Sequence, residues 1–323
     1  MRKSCVFATP PRRHDFEYEQ IPALLIRGQI ESVYSRTEAA DTFSLAKQYD
    51  SKGLINRFSW DSGVLSYFSS KEVSQTALNS DITRLNYSWT AKAKSSSDKA
   101  IIVSVDPIFF RIYGPMMLFN AQQVPEINFV FLICATEGEV RDLTLASRRY
   151  LATLSNLNHQ SVNQNISFYA VDIPDWVQDR KTFYACARFL ALPDMLQRYK
   201  NVYCMDADLL MKDDPVPFFA RTSRLKFSVP KNSSLIGIIP WRRHMAGSLV
   251  ANRAFLESPA LCDLNRYISS GLQQAFSWTL DQNALSFAAE RAPASDFEPL
   301  DKYARPAMVS KFMVRWERNY PTV

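Results

Sequence analysis

Two aspartates close a short apolar run in Tyr203-Cys204-Met205-Asp206-Ala207-Asp208-Leu209-Leu210. An apolar run of this length reads as a buried strand of an α/β sheet, with the acidic residues emerging at its carboxyl end. Ligands of open α/β sheets bind outside the carboxyl ends of strands. In an extended segment, residues two apart point to the same face, so Asp206 and Asp208 are expected to approach one ion together. Two carboxylates suit a hard divalent cation, and such a cation suits a diphosphate. The bland alternative is a solvated turn after a strand. Lys212-Asp213-Asp214-Pro215 reads as a turn of that kind.

Strands and helices must alternate for that edge to exist. The small polar stretch 91–98 reads as a linker. After it come buried strands at Ile101–Val105, Ile127–Ala135, Ile166–Val171 and Val202–Met205. Helical patterns separate them at Arg111–Gln123, Glu139–Asn156 and Thr182–Tyr199, the last interrupted near Pro193. This alternation predicts an α/β fold with a mostly parallel sheet covered by helices. Beyond Pro215 the pattern predicts strands at Leu225–Val229 and Gly247–Ala251 and a helix at Asp281–Ala289. Before the linker, Ile21–Tyr34 reads as a helix with Pro22 near its first turn. Thr37–Tyr49, Val64–Phe68 and Val73–Leu85 read as further helices. The expected division is a helical region over 1–97 and an α/β domain over 98–323.

Composition removes several function classes. Only 8 glycines occur in 323 residues, and neither G-x-G-x-x-G nor G-x-x-x-x-G-K-[ST] is present. Dinucleotide and P-loop sites therefore lose their main support. No run of 18 apolar residues exists to span a membrane. The apolar run Cys5–Ala8 is too short for a signal peptide. The cysteines are Cys5, Cys134, Cys186, Cys204 and Cys262, without a C-x-x-C, and read as buried thiols in a reducing compartment. The net charge of +6 is scattered, apart from Arg12-Arg13 and Arg242-Arg243, so no nucleic-acid partner is expected. A cytoplasmic place follows, with contact at the inner face of a membrane compatible with the basic charge.

Four segments resemble GT-A-type glycosyltransferases, most of all the family 8 group. The first is Tyr184-Ala185-Cys186-Ala187-Arg188-Phe189-Leu190-Ala191-Leu192-Pro193, leading to the strand that ends Asp206-Ala207-Asp208. Val103-Ser104-Val105-Asp106, with Tyr113 after it, resembles the first nucleotide-binding strand. Gly247-Ser248-Leu249-Val250-Ala251-Asn252 resembles the "G-x-x-x-x-N" strand. Trp278-Thr279-Leu280-Asp281-Gln282-Asn283-Ala284-Leu285 resembles the "D-Q-x-x-L" helix. Together they span roughly 98 to 290.

The resemblance implies a GT-A-like domain that moves a hexose from a nucleotide sugar, a UDP-sugar first of all, to a hydroxyl acceptor with retention. The acceptor would be a glycan, a lipid-linked saccharide or a protein side chain. Asp206 and Asp208 would hold Mn²⁺ or Mg²⁺ against the diphosphate, where the ion stabilises the departing charge. Asp106, Tyr113, Arg188, Asp206, Ala207, Gly247 and Asn252 would contact the nucleotide sugar. Asp281, Gln282 and Arg188 would face the reacting sugar. Four of them have a structural alternative: a helix-surface ion pair for Arg188, a strand-capping turn for Asp106, a helix cap for Asn252 and Asp281.

The chain departs from the family in one respect. Its histidines are His14, His159 and His244, and none stands near the C-terminus, where the family has a third metal ligand. Lys302, Arg305 or Lys311 would then touch phosphate directly, and the ion would rely on two aspartates, water and phosphate. Two rival functions share the D-x-D strand. One is a haloacid-dehalogenase-type phosphatase, disfavoured because Leu209-Leu210 follows the motif and Asp213-Asp214 lies too close to serve as its acidic pair. The other is a GT-A-like domain that binds glycans or a partner without turnover.

Overall fold

The computed structural model describes residues 13–50, 60–76, 85–159, 161–211, 213–232, 240–274, 279–303 and 308–310. The chain falls into two units, Met1–Tyr67 and Phe68–Val323. The first contains helices α1 (Arg13–Glu31), α2 (Arg36–Tyr49) and α3 (Trp60–Leu65). Ser35 caps α2, its side chain accepting from the Glu38 N–H at 3.3 Å. A Cβ at Gly28 would lie 2.5 Å from Phe43 Cε1, so only glycine permits the close approach of α1 to α2. α1 begins earlier than its sequence pattern, and Pro22 stands inside it rather than in its first turn. Pro22 is exposed there.

The second unit is built on a seven-stranded sheet ordered β1-β4-β3-β2-β5-β8-β7. Its strands are β1 (Tyr87–Ala91), β2 (Lys99–Val105), β3 (Asn128–Ile133), β4 (Ile166–Val171), β5 (Asn201–Met205), β7 (Phe227–Ser228) and β8 (Ser248–Asn252). Strands β2–β5 run parallel, and β1 and β8 pair antiparallel to their neighbours. A separate ribbon joins β6 (Leu209–Met211) to β9 (Met308–Ser310). The helices between the strands are α4 (Ser70–Thr76), α5 (Pro107–Gln123), α6 (Glu137–Asn158), α7 (Arg180–Leu190), α8 (Leu192–Arg198), α9 (Val216–Thr222), α10 (Pro240–Arg243), α11 (Pro259–Leu272) and α12 (Leu280–Arg291).

The central strands are mostly apolar on both faces because both faces are covered. On one face Ile101, Val103, Val105, Phe131 and Tyr203 pack with α5, α6 and α9 residues such as Phe110, Val140 and Phe218. On the other, Ile102, Val130, Leu132 and Cys204 pack with α7, α8, α11 and α12 through Phe183, Leu196, Tyr267 and Leu285. Each such side chain contributes about 1.5–3 kcal/mol on burial. The long helical pattern near Pro193 is indeed two helices, with Pro193 in the first turn of α8, where its missing N–H is harmless.

The boundary differs from the sequence expectation. β1 is an edge strand of the sheet, with Tyr87 opposite Val171 and Trp89 opposite Tyr169. The Trp89 and Tyr169 rings lie 3.6 Å apart between centroids. In the stretch expected to be a linker, the N–H groups of Lys94 and Ser95 donate to Gln164 O. Of the expected helix over Val73–Leu85, residues 77–84 lie outside the described residues, and α4 ends at Thr76. The α/β unit therefore begins at Phe68, whose N–H donates to the Tyr267 hydroxyl at 2.7 Å.

A chain that starts at Phe68 should melt cooperatively. One that starts at Asp98 lacks β1 and the Trp89 packing, a loss of about 3–5 kcal/mol, and should melt about 10 °C lower. Calorimetry of both truncations checks this. Equal melting temperatures would contradict the place of β1 in the sheet.

Candidate active site

The order β4-β3-β2-β5 places the reversal of strand order between β2 and β5. In open α/β sheets, ligands bind beyond the carboxyl ends of the strands at such a switch point. Asp106 follows β2, and Asp206 follows β5. β8 enters the same edge from the opposite direction, with Ser248 paired to Met205 and Gly247 beside Asp206. The Asp206 N–H donates to Gly247 O at 3.3 Å.

Arg188 holds the centre. It lies on α7, and its side chain is only 2% exposed. Its Nη2 sits 2.5 Å from Asp206 Oδ1, donates to Ala246 O at 3.1 Å, and lies 3.9 Å from Asp281 Oδ2. The guanidinium also stacks over the Phe189 ring at 4.6 Å, while Nε has no hydrogen-bond partner. α7 is tied to β2 by the Ser104 hydroxyl, which donates to Tyr184 O at 2.5 Å. Burial works against the charge of Arg188, but the Asp206 and Asp281 carboxylates outweigh it and raise its pKa. For Asp281 the balance is reversed. Burial raises its pKa above the ordinary 3.8, and Asp206 adds to this, while Arg188 opposes.

Asp281 and Gln282 occupy the first turn of α12, and the Gln282 N–H donates to Asp281 Oδ1 at 2.8 Å. Thr279 precedes that turn with φ 65° and ψ 10°. A β-branched residue in the left-handed region is strained. The Thr279 hydroxyl is buried and has no hydrogen-bond partner among the described residues. Nothing in the sequence marks Thr279, because a left-handed residue is usually glycine or asparagine.

Asp208 is half-buried, and it is not carried there by an extended strand. β5 stops at Met205, and the Leu209 N–H donates to Asp206 O at 3.2 Å, closing a tight turn over 206–209. The strand alternation expected to aim both carboxylates alike therefore does not apply. Ala207 is buried in the turn. A Cβ at Gly247 would come within 3.0 Å of Asp206 Oδ2 and 3.3 Å of Leu209 Cδ1. The bare glycine thus lets the Asp206 carboxylate and Leu209 pack directly against the backbone that leads into β8.

Asp206 Oδ2 is a hard oxygen donor, and Asp208 stands two residues on in the same turn; donors of this kind suit Mg²⁺ or Mn²⁺ where the remaining ligands are phosphate and water. Among the described residues, no three Asp, Glu, His or Cys side chains gather as a complete metal set. His244 is neutral at physiological pH. It is buried, bonds Ser286 Oγ through Nδ1 at 3.1 Å, and burial with Lys231 and Arg243 pushes its pKa down to about 4.

The other expected residues are placed as follows. Asp106 caps α5, accepting from the Ile108 and Phe109 N–H groups at 2.6 and 2.9 Å. Tyr113 is buried on α5 against Phe109. Asn252 stands at the far end of β8, opposite Asn201, and its side chain accepts from the Ala254 N–H to cap the 3-10 turn Arg253–Glu257. The structure therefore brings Arg188, Asp206, Gly247 and Asp281 together and leaves Asn252 apart. Trp278, Arg305, Lys311 and Cys5 lie outside the described residues. Cys134, Cys186 and Cys204 are free and buried, and Cys262 is exposed. Burial pushes the Cys204 thiol up to about 12. No helix among the described residues is long and apolar enough to cross a membrane.

No family model matches the sequence, and no curated protein matches it. Several solved structures are loosely similar. WbbM, a bifunctional glycosyltransferase in its apo form, is 17% identical with a TM-score of 0.41, over 65% of this chain and 40% of its own. The galactosyltransferase LgtC, in complex with donor and acceptor sugar analogues, is 15% identical with a TM-score of 0.40, over 62% of this chain and 72% of its own. Mouse xyloside xylosyltransferase 1, in its apo form, is 13% identical with a TM-score of 0.37, over 62% of this chain and 84% of its own. This chain thus spans well under half of WbbM. At such scores the likeness assigns neither family nor activity.

The raised pKa of Asp281 sets a pH dependence. A carboxyl favoured in its protonated form by the fold supports stability below its unfolded pKa of 3.8, and that support is lost as pH rises through the folded value. Asp281→Asn, which imitates the protonated form, should therefore melt above the wild type at neutral pH and level with it in acid. Melting curves at several pH values check this. A lower melting temperature at neutral pH would mean that the Arg188 attraction outweighs burial.

Proposed function

We propose that this chain is a metal-assisted glycosyltransferase that moves a hexose from a nucleotide sugar, a UDP-sugar first of all, to a hydroxyl acceptor. The observation that carries the reading is the Arg188–Asp206–Asp281 cluster at the switch-point edge, with Gly247 packed against Asp206. Three of the four sequence segments that resemble family 8 supply Arg188, Asp206, Gly247 and Asp281, which supports the same reading.

In this reading Asp206 and Asp208 hold Mn²⁺ or Mg²⁺. When bound, the ion neutralises charge building on the departing diphosphate. Arg188 is too buried to reach far into the crevice, and its role is to fix the rotamers of Asp206 and Asp281. Asp281 and Gln282, on the first turn of α12, accept and donate hydrogen bonds to sugar hydroxyls. Gly247, packed against Asp206, borders the sugar. Asp106, already engaged as a helix cap, borders the nucleotide end with Tyr113 behind it.

Transfer with retention breaks the anomeric carbon–oxygen bond to the diphosphate and forms one to the acceptor oxygen on the same face. The acceptor proton passes to a diphosphate oxygen. The acceptor is a glycan, a lipid-linked saccharide or a protein hydroxyl.

Calorimetry should show UDP binding more tightly with Mn²⁺ than with EDTA. Asp208→Asn should lower transfer by about 100-fold or more, the scale of losing one strong electrostatic stabiliser, with the melting temperature nearly unchanged. Equal UDP affinity in both conditions, or full turnover by the variant, would contradict the proposal.

A further inference from the structure

The segment between α10 and β8 is tied to α12 at two points. Arg243 forms an ion pair with Glu290, and His244 Nδ1 lies 3.1 Å from the Ser286 hydroxyl. Ser286 and Glu290 stand one turn apart on the same face of α12. On its other side the segment is held by main chain. The Met245 N–H donates to Pro230 O at 3.0 Å, and the Asn232 N–H donates to Arg243 O at 2.8 Å. His244 is buried, and its ring meets Phe297 edge-on at 5.7 Å.

Two residues after His244, Ala246 O accepts from Arg188 Nη2 at 3.1 Å. Gly247 O then accepts from the Asp206 N–H at 3.3 Å. The same Arg188 nitrogen lies 3.9 Å from Asp281 Oδ2, in the first turn of α12. These contacts close a ring. It runs from Arg188 to Ala246, along the chain to His244, and across to Ser286. It returns along α12 to Asp281, a distance of about 7.5 Å at the helical rise, and so to Arg188. Hydrogen bonds are directional, whereas apolar packing is not. Without the His244 link, the setting of α12 against this segment would rest more heavily on packing.

We infer that His244 is a positioning residue: through Ser286 it sets the first turn of α12, with Asp281 and Gln282, against the edge that carries Asp206. The consequence for transfer rests on the function proposed above. There the diphosphate is held at Asp206 and the sugar at Asp281 and Gln282. A shift of the α12 turn would misalign the sugar and leave the hold on the nucleotide intact. A misplacement of about 1 Å can cost about 100-fold in rate.

Hydrogen exchange of the full chain tests the ring without any substrate. The Gln282 N–H donates to Asp281 Oδ1, and the Asn283 N–H donates to Thr279 O at 3.1 Å. In Ser286→Ala and in His244→Phe these two amides should exchange about tenfold faster, with the β3 amides unchanged. His244→Asn, whose amide reaches the place of Nδ1, should restore slow exchange. Leu151→Ala, a core truncation on α6, should lower the melting temperature and leave both amides as they are. UDP release from UDP-glucose and UDP-galactose with Mn²⁺ reads the effect on transfer. Ser286→Ala should lower kcat about tenfold and leave the Kd of UDP unchanged. If the wild type releases no UDP while exchange responds as stated, the proposed function falls and the positioning role of His244 stands. Unchanged exchange at Gln282 and Asn283 in both variants would overturn the inference, as would equal acceleration in Leu151→Ala.

Discussion

A guanidinium removed from water must meet opposite charge, and the site of this protein is arranged around that requirement. Arg188 is almost wholly buried and reaches Asp206 at 2.5 Å. Removing each ion from water costs several kcal/mol, so the pair does little for net stability. What it gives is position. Asp206 follows β5, Asp281 opens α12 and Ala246 precedes β8, and one nitrogen of Arg188 touches or faces all three. Three segments far apart in sequence are therefore fixed against each other by one side chain.

The same constraint explains the charge state of the edge. One buried cation faces two carboxylates, and Asp208 stands close by in the 206–209 turn. The edge is thus acidic on balance, and Gly247 lies close against the Asp206 oxygen that Arg188 does not pair with. A divalent cation with a diphosphate would complete that balance, since each supplies the charge or ligands that the other lacks. The strained Thr279 backbone stands next to Asp281, where such strain is most often tolerated because of function.

Much of this was legible in the residues, and the exceptions have physical causes. β2, β3, β4 and β5 are buried along almost their whole length, so their runs are largely apolar and easily recognised. β1 is a half-buried edge strand, and Tyr-Ser-Trp-Thr-Ala followed by a lysine- and serine-rich stretch looks like spacer. Asp206 was visible because it ends a buried run. The role of Arg188 was not, because on a helix a buried arginine and an exposed one read alike until the partner across the fold is known. The tight turn at 206–209 carries no glycine or proline to announce it. The likeness of Gly247-Ser248-Leu249-Val250-Ala251-Asn252 to a sugar-lining strand pointed to both of its ends, but an antiparallel strand carries only one end to the edge.

The central claim is that Arg188 and Asp206 act as one unit. A double-mutant cycle tests it most directly, with Arg188→Met, Asp206→Asn and the double variant followed by equilibrium unfolding. The account predicts that Arg188→Met alone is strongly destabilising, by about 3–5 kcal/mol, because it leaves carboxylates unpaired. It also predicts that the double variant recovers part of this loss, with a coupling of about 1–3 kcal/mol. Additive effects, with coupling below about 0.5 kcal/mol, would contradict it.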